Sequence, residues 1–135
     1  MCGISGYISD NTFLENNSIK NTLSLMKRRG PDSQDFFQKN YQNKDVALLH
    51  SRLNIIDLNS QSNQPFYDKD LILVFNGEIY NYLELRKDLE KKNYIFNTNS
   101  DTEVLLKTFQ EYGEKCVEHF IGMWSFAIWD LKKKT

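Results

Sequence analysis

Residues 1–9 read MCGISGYIS, and a cysteine directly follows the initiator methionine. An aminopeptidase can remove Met1 when the next residue is as small as cysteine, which would leave Cys2 with a thiol and a free α-amine. A thiol attacks as the thiolate and needs a proton acceptor, and an α-amine with a reference pKa of about 7.7–8.0 can take that proton. Residues 2–9 predict a strand whose glycines allow a ligand or another backbone to come close. Two interpretations stay open: an N-terminal nucleophile, or a small apolar residue of a buried strand.

The composition is that of a globular chain. Its 135 residues predict a single domain, 1–135, and 40% of them are hydrophobic and 13% aromatic. The net charge of −1 does not indicate a nucleic-acid or anionic membrane surface. No apolar run approaches the ~20 residues of a membrane span, and no secretory signal is visible, so we expect a cytoplasmic protein. The cysteines and histidines lack zinc spacing, so we expect no metal, and Cys116 is expected in a helical core segment rather than in a disulfide.

Apolar periodicity predicts the other elements. Helices are expected at 18–28, from Tyr82 onward, at 101–112 and as a short turn at 115–120, with Ser18 or Asn17 capping the first and Ser100 the third. Strands are expected at 34–38, 46–53, 71–75, 94–96 and 123–130. Residues 54–58 are expected to be extended, residues 59–65 to form a loop, and residues 10–12 and 41–45 to form turns.

Polar residues at the ends of the predicted apolar elements are the candidates for function. Arg52 follows a buried strand, and its planar guanidinium suits a carboxylate partner. His50 is either a core histidine or a catalytic one. Arg28 and Arg29 end the first helix, where they either stabilise the helix dipole or contact an anion.

The buried strand at 71–75 runs directly into Asn76-Gly77-Glu78. The Asn76 amide and the Gly77 N–H are the donors that an oxyanion site requires. The alternative is an Asn-Gly hairpin turn, but residues 79–82 do not alternate like a return strand. Asp101, in the first turn of a predicted helix, is explained by the helix dipole alone.

With these residues in place, the sequence resembles the class II, N-terminal nucleophile type of glutamine amidotransferase domain. Within that class it is most similar to the N-terminal domain of glutamine-hydrolysing asparagine synthetase. Phe75 favours this branch, because the sugar-phosphate aminotransferases carry a histidine before the Asn-Gly. The matching blocks cover essentially the whole chain in the family's order: MCGISGYI at 1–8, RRGPDS at 28–33, LHSRLNIIDL at 49–58, NQPF at 63–66, FNGEIYNYLELRKDL at 75–89, SDTEVLL at 100–106 and GMWSFAIWD at 122–130.

The resemblance implies an α+β fold of the N-terminal nucleophile hydrolase type, an αββα sandwich of two antiparallel sheets. It implies that Cys2 attacks the side-chain amide of L-glutamine while Asn76 and the Gly77 N–H stabilise the oxyanion. It also implies that Arg52 pairs with the α-carboxylate of glutamine. The remaining implied substrate-binding residues are Glu78 and Asp101, at the α-amino group, and the backbone of Leu53, Asn54, Ile55 and Ile56.

Family members continue past the position of Thr135 with a return strand and a synthetase domain, so we expect this domain to be incomplete. The resemblance implies no cofactor for the domain itself, and it assigns ATP and Mg²⁺ to the synthetase domain or subunit that receives the ammonia. The alternative function is a non-catalytic remnant or partner-binding fragment. Such a fragment would bind through an uncovered strand carrying Trp124, Phe126 and Ile128.

Overall fold

A computed structural model describes residues 2–10, 14–41 and 43–135. Within these ranges the strands are β1 (Gly3–Asp10), β2 (Ser33–Tyr41), β3 (Lys44–Arg52), β4 (Phe66–Asp68), β5 (Leu71–Ile79) and β6 (Gly122–Asp130). The α-helices are α1 (Asn16–Met26), α2 (Tyr82–Lys91) and α3 (Asp101–Tyr112), and 3-10 turns lie at Ser60–Ser62 and Gly113–His119. The predicted removal of Met1, the predicted turn at Asn11 and Thr12, and the centre of the turn at Gln42 lie outside the described residues.

The strands form two antiparallel sheets of three strands each. The first sheet has the order β1-β3-β2 and the second the order β4-β5-β6. Apolar side chains of β3, β5 and β6 form the layer between the two sheets: Val46, Leu48, Ile72, Val74 and Trp129. The predicted α+β sandwich of two antiparallel sheets is therefore confirmed.

Helices cover the outer face of each sheet. α1 places Ile19 and Leu23 against Ala47 and Leu49 of β3. On the other side, α3 and the turn at Gly113–His119 bury a larger cluster against the second sheet: Phe66, Leu73, Phe75, Ile79, Leu105, Leu106, Cys116 and Phe120. Burial of these three apolar clusters stabilises the fold by about 25 cal/mol per Å² of apolar surface removed from water, and it supplies most of the free energy of folding.

Side chains of β1 alternate between two of these layers. Ile4 packs in the layer between the sheets, whereas Tyr7 packs with the cluster under α1. The pairing of Gly3 with Ser51 and of Ile4 with His50 fixes this alternation against β3. Cys2 has the same parity as Ile4, so its side chain lies on the side that faces the second sheet.

The cap of α3 is confirmed, although only half of the predicted capping box forms. The Ser100 hydroxyl accepts a hydrogen bond from the Glu103 N–H at 3.2 Å, a cap that stabilises a helix by about 1 kcal/mol. The Glu103 carboxylate does not return to Ser100. It accepts the N–H groups of Asn97 and Thr98 at 2.7–3.1 Å, and so it holds the loop that leads into α3.

Three local predictions were wrong. Residues 94–96 form no strand, because the Tyr94 N–H closes the end of α2 on the Leu89 carbonyl. Residues 54–58 are not extended, since the chain bends there and Asp57 has a φ of 52°. The first helix starts at Asn16 after Glu15, without a side-chain cap, so neither Ser18 nor Asn17 caps it. The short strand β4 was not predicted at all.

β6 lies at the edge of its sheet, but its aromatic side chains are not uncovered as expected. Trp124, Phe126 and Ile128 are partly buried against the cluster under α2 and α3, and Phe120 packs edge-on against both aromatic rings. The large apolar side chain that this strand exposes is instead Met123. None of the described helices is long and apolar enough to cross a membrane.

Candidate active site

A cavity of about 190 Å³ lies where β1, β3, β5 and α3 meet. It is smaller than the roughly 300–1,000 Å³ typical of drug-sized ligands, so it suits a small metabolite. Eight of the ten residues that the sequence and the family resemblance single out line it: Cys2, Arg52, Leu53, Ile55, Ile56, Gly77, Glu78 and Asp101. The described residues contain no group of three or more His, Cys, Asp or Glu side chains placed to hold a metal ion.

Contacts with Leu53 and Arg29 hold Cys2 at the start of β1. The Leu53 N–H donates to the Cys2 Sγ at 3.3 Å, and the thiol faces the Leu53 carbonyl at 3.7 Å. The Arg29 Nε donates to the Cys2 carbonyl at 3.1 Å. The Arg29 N–H also donates to the Met26 carbonyl at 2.9 Å, at the end of α1. These contacts fix both the sulfur and the backbone of Cys2 beside the cavity.

Arg52 is a buried cation, 4% exposed. Its Nη1 donates to the Asn59 carbonyl at 3.1 Å and the Asn63 Oδ1 at 2.6 Å, and its Nη2 donates to the Asp57 carbonyl at 2.5 Å. All three acceptors are neutral, and no carboxylate of the described residues lies within 4.0 Å of the guanidinium. Burial lowers the Arg52 pKa. A guanidinium has five N–H donors, so the remaining two can bind an anion in the cavity.

Two carboxylates lie across the same cavity. Asp101 is 6% exposed, and its Oδ2 accepts the Ile79 N–H at 3.2 Å. Burial, together with the nearby charge of Glu78, raises the pKa of Asp101, while the N–H groups of Ile79 and Thr102 lower it. Two like charges that share a site favour a cation between them, because a cation relieves their repulsion. A ligand with a carboxylate at one end and an ammonium nearby therefore fits the charges of this cavity.

β5 continues through Asn76, Gly77 and Glu78 to Ile79, so the hairpin alternative is wrong. β4 pairs with β5 only as far as Leu73. Beyond Leu73, side chains instead of a strand accept the N–H groups along this edge of β5. The Phe75 N–H donates to the Gln64 Oε1 at 2.6 Å, and the Ile79 N–H donates to Asp101. Because backbone groups of a strand alternate in direction, the Gly77 N–H points to this same side, toward the cavity.

Gly77 is also required by the approach of β6. A Cβ at this position would lie 2.2 Å from the Met123 carbonyl oxygen and 2.7 Å from the Trp124 Cα, so the residue cannot carry a side chain without moving the strand. The neighbouring Asn76 and, in the loop after β3, Asn54 do not line the cavity. Both have a buried Oδ1 without a partner among the described residues, and the Asn54 N–H is bound by Asp32 at 2.7 Å.

Four residues that sequence reasoning did not assign to the site also line the cavity. Gln64, Phe75, Thr102 and Met123 complete its lining. The Gln64 Nε2 donates to the Thr102 hydroxyl at 3.3 Å while its Oε1 binds β5, so one amide joins β5 to α3. Gln64 lies in a loop rich in Ser, Asn and Gln, and although it belongs to the family block NQPF at 63–66, no role was inferred for that block.

His50 is a core histidine. It is fully buried, and its Nε2 lies 3.1 Å from the Phe75 carbonyl. The carbonyl can only accept, so Nε2 carries the proton, and Nδ1 has no partner among the described residues. Burial lowers the His50 pKa from 6.5 to about 4, the Phe75 carbonyl partly opposes this, and the charge of Arg52 adds to it.

We expect the free energy of unfolding to decrease by about 2 kcal/mol between pH 7 and pH 5 because of His50. The unfolded chain, with an ordinary histidine pKa, binds a proton in this range, and the folded chain does not. Above pH 6.5 this contribution is constant, and it is lost progressively toward the folded-state pKa of about 4. Urea unfolding at several pH values checks this.

His50→Gln is the matched variant for that experiment, because its amide nitrogen can keep the bond to Phe75 without titrating. The difference between the two proteins removes the contribution of the carboxylates that they share. An equal dependence on pH in both proteins would contradict the assignment to His50.

A comparison of the sequence with known families agrees with the site described above. Residues 1–135 match the model of the family described as "Glutamine amidotransferase domain". The chain belongs to this family. This confirms the resemblance to an amidotransferase domain that the sequence blocks and their order indicated.

Curated relatives of this amidotransferase domain are named asparagine synthetases. The chain is 41% identical to the putative asparagine synthetase [glutamine-hydrolyzing] 2 of Methanocaldococcus jannaschii, over 98% of this chain and 28% of that protein. It is 40% identical to asparagine synthetase [glutamine-hydrolyzing] 1 of Bacillus subtilis, over 96% of this chain and 21% of that protein. The domain thus spans about a quarter of the length of these relatives.

A solved structure shares the fold of the amidotransferase domain. It is the allosteric regulatory enzyme of purine biosynthesis, which matches with a TM-score of 0.51 and 24% identity over 64% of this chain and 22% of that chain. At this identity the likeness shows the fold and does not extend to the substrate.

Proposed function

We propose that this amidotransferase domain hydrolyses L-glutamine to L-glutamate and ammonia, with Cys2 as the nucleophile. One observation carries the proposal: a thiol, a buried guanidinium and two carboxylates line a single cavity of about 190 Å³. An α-amino acid with an amide side chain presents the complementary groups, namely a carboxylate for Arg52, an ammonium for Asp101 and Glu78, and a carbonyl for the thiol.

In the proposed reaction, removal of Met1 makes the α-amine of Cys2 available as the base. The amine takes the thiol proton, and the sulfur forms a bond to the side-chain carbonyl carbon of glutamine. The Gly77 N–H, which points toward the cavity, stabilises the resulting oxyanion more than the ground state. The family resemblance implies the Asn76 amide as the second donor, and this role requires its Nδ2 to turn into the cavity, which Asn76 does not line here. The C–N bond then breaks, the amine returns its proton to the leaving ammonia, and water hydrolyses the thioester to release glutamate.

The relatives' names suggest where the ammonia goes. We propose that a synthetase domain or subunit receives it and makes asparagine, and that ATP and Mg²⁺ serve that part rather than this domain. We further propose that the protein works in the cytoplasm, independently of nucleic acid and membranes. The support for this is the similarity to the asparagine synthetases of M. jannaschii and B. subtilis, of which this chain covers 28% and 21%.

The function is tested by incubating the purified chain, with Met1 removal verified by mass spectrometry, with L-glutamine. We expect glutamate and ammonia in equal amounts. A glutamine analogue with an electrophilic side chain is expected to label Cys2 and to leave Cys116, which is 1% exposed, unlabelled. Absence of both turnover and labelling would favour the non-catalytic alternative, and an active preparation that retains Met1 would contradict the role of the α-amine.

A further inference from the structure

Asp57 connects the two charged ends of the cavity. It lies in the bend after β3 and follows Arg52 by five residues, and its carbonyl accepts the Arg52 Nη2 at 2.5 Å. Its side chain points to a different part of the chain, since Oδ2 accepts the Asn99 N–H at 2.8 Å. Asn99 precedes α3 by two residues, and Asp101 is the first residue of that helix. One residue therefore contacts both the cation of the site and the loop that carries its buried carboxylate.

Both oxygens of the Asp57 carboxylate take part in this role. Its Oδ1 accepts the Asn59 N–H at 3.0 Å, and its Oδ2 also accepts the Ser62 hydroxyl at 2.8 Å. Asn59 supplies one of the carbonyls that accept a hydrogen bond from Arg52. Asp57 therefore also supports the guanidinium indirectly, through Asn59. Burial opposes ionisation of Asp57, but the donors Asn99, Asn59 and Ser62, with the charge of Arg52, keep its pKa below the usual range.

The backbone of Asp57 is adapted to these contacts. Its φ of 52° lies in the left-handed region, which aspartate and asparagine enter more readily than most residues. This turn brings the carbonyl of Asp57 toward Arg52 while the side chain reaches the loop before α3. An extended chain at residues 54–58, which the sequence predicted, could not make both contacts.

We infer that Asp57 is a positioning residue that sets the separation of the Arg52 guanidinium and the Asp101 carboxylate, and thereby makes the cavity selective for a free α-amino acid. The inference rests on the proposed hydrolysis of glutamine and assigns a source for its selectivity. Asp57 does not line the cavity and touches no substrate. It acts through Arg52 on one side and through the Asn99 backbone on the other.

The test compares Asp57→Ala, Asp57→Asn and the unaltered chain, with Asp88→Ala as the control for loss of one aspartate. Asp88 is an exposed residue of α2 that pairs with Lys91. Each protein is assayed with L-glutamine and with 4-aminobutanamide, which lacks the α-carboxylate. Titration of active sites with the electrophilic analogue corrects each rate for the folded fraction.

We expect Asp57→Ala to raise KM for L-glutamine about tenfold or more, the effect of losing a charge-assisted hydrogen bond, and to change kcat by less than about threefold. The preference for L-glutamine over 4-aminobutanamide, measured as the ratio of kcat/KM values, should also fall, because only L-glutamine has a carboxylate that loses its contact with Arg52. Asp57→Asn keeps one acceptor oxygen and the left-handed conformation, so it should restore part of both effects. Asp88→Ala should behave like the unaltered chain.

A purely structural role predicts a different result, namely fewer active sites with an unchanged KM and an unchanged preference for L-glutamine. That result in Asp57→Ala would overturn the inference while leaving the proposed function intact. If the unaltered chain does not hydrolyse L-glutamine, the proposed function fails, and the inference fails with it. Turnover by the unaltered chain together with a raised KM in Asp57→Ala supports both.

Discussion

Replacing Cys2 by alanine is expected to abolish glutamine hydrolysis. Loss of the nucleophile removes the covalent route, and the residual rate should be lower by at least about 10³-fold, because the remaining groups can only bind and polarise the amide. The fold should persist, since the contacts of Cys2 that involve its backbone, such as the Arg29 bond to its carbonyl, do not need the sulfur. Glutamate release and circular dichroism of the same preparation check both statements.

Cys116→Ala is the matched control for this variant. The Cys116 thiol is buried in the cluster under α2 and α3, where burial raises its pKa. We expect that variant to lose some stability, because it leaves a small cavity, and to keep its activity. Hydrolysis at an unchanged rate by Cys2→Ala would refute the mechanism.

Asn76→Ala is expected to lower kcat by about 10²–10³-fold, which is the usual effect of removing one oxyanion donor. KM for glutamine should change much less, because the amide acts on charge that develops in the transition state. Asn76 lies in β5 beside Gly77, and its Oδ1 is buried without a partner among the described residues. The oxyanion donor would be the Nδ2 of this amide, a role that the family resemblance implies. Steady-state kinetics with L-glutamine measure the effect.

Asn40→Ala serves as the control for this substitution. Asn40 is an exposed asparagine of β2, away from the cavity, and its loss should leave kcat and KM unaltered. If Asn76→Ala keeps the kcat of the unaltered chain, or raises KM alone, then Asn76 binds the ground state and the oxyanion must be held elsewhere.

The sequence was most informative where the signal is local. The alternation of β6 and the helical period before Gly113 depend on the side chains of one segment, and both elements form within one residue of their predicted bounds. The family blocks added the pairing of distant residues, since no spacing alone could place Cys2 beside Gly77 and Asp101. The cavity joins residues from both ends of the chain, and only the order of several motifs indicated that they meet.

The features that sequence reasoning missed depend on contacts between distant residues. The Gln64 amide binds the Phe75 N–H and the Thr102 hydroxyl, 11 and 38 residues away. The predicted strand at 94–96 failed because the Leu89 carbonyl accepts the Tyr94 N–H, and Glu103 fixes the loop that follows by accepting the N–H groups of Asn97 and Thr98. Such competition between partners is decided by tertiary packing, and it leaves no period in the sequence.

The alternation of side chains along β1 makes the direction of the Cys2 side chain depend on the number of residues between Cys2 and the rest of the strand. Cys2 faces the second sheet because its position differs by an even number, two, from that of Ile4, whose side chain packs between the sheets. Removing or inserting one residue among positions 3–5 would keep the nucleophile and the free amine, yet it would turn the sulfur toward α1. The proposed reactivity of Cys2 therefore depends on its position along the chain as well as on residue type, and insertions or deletions of single residues in β1 should be as damaging as loss of the thiol.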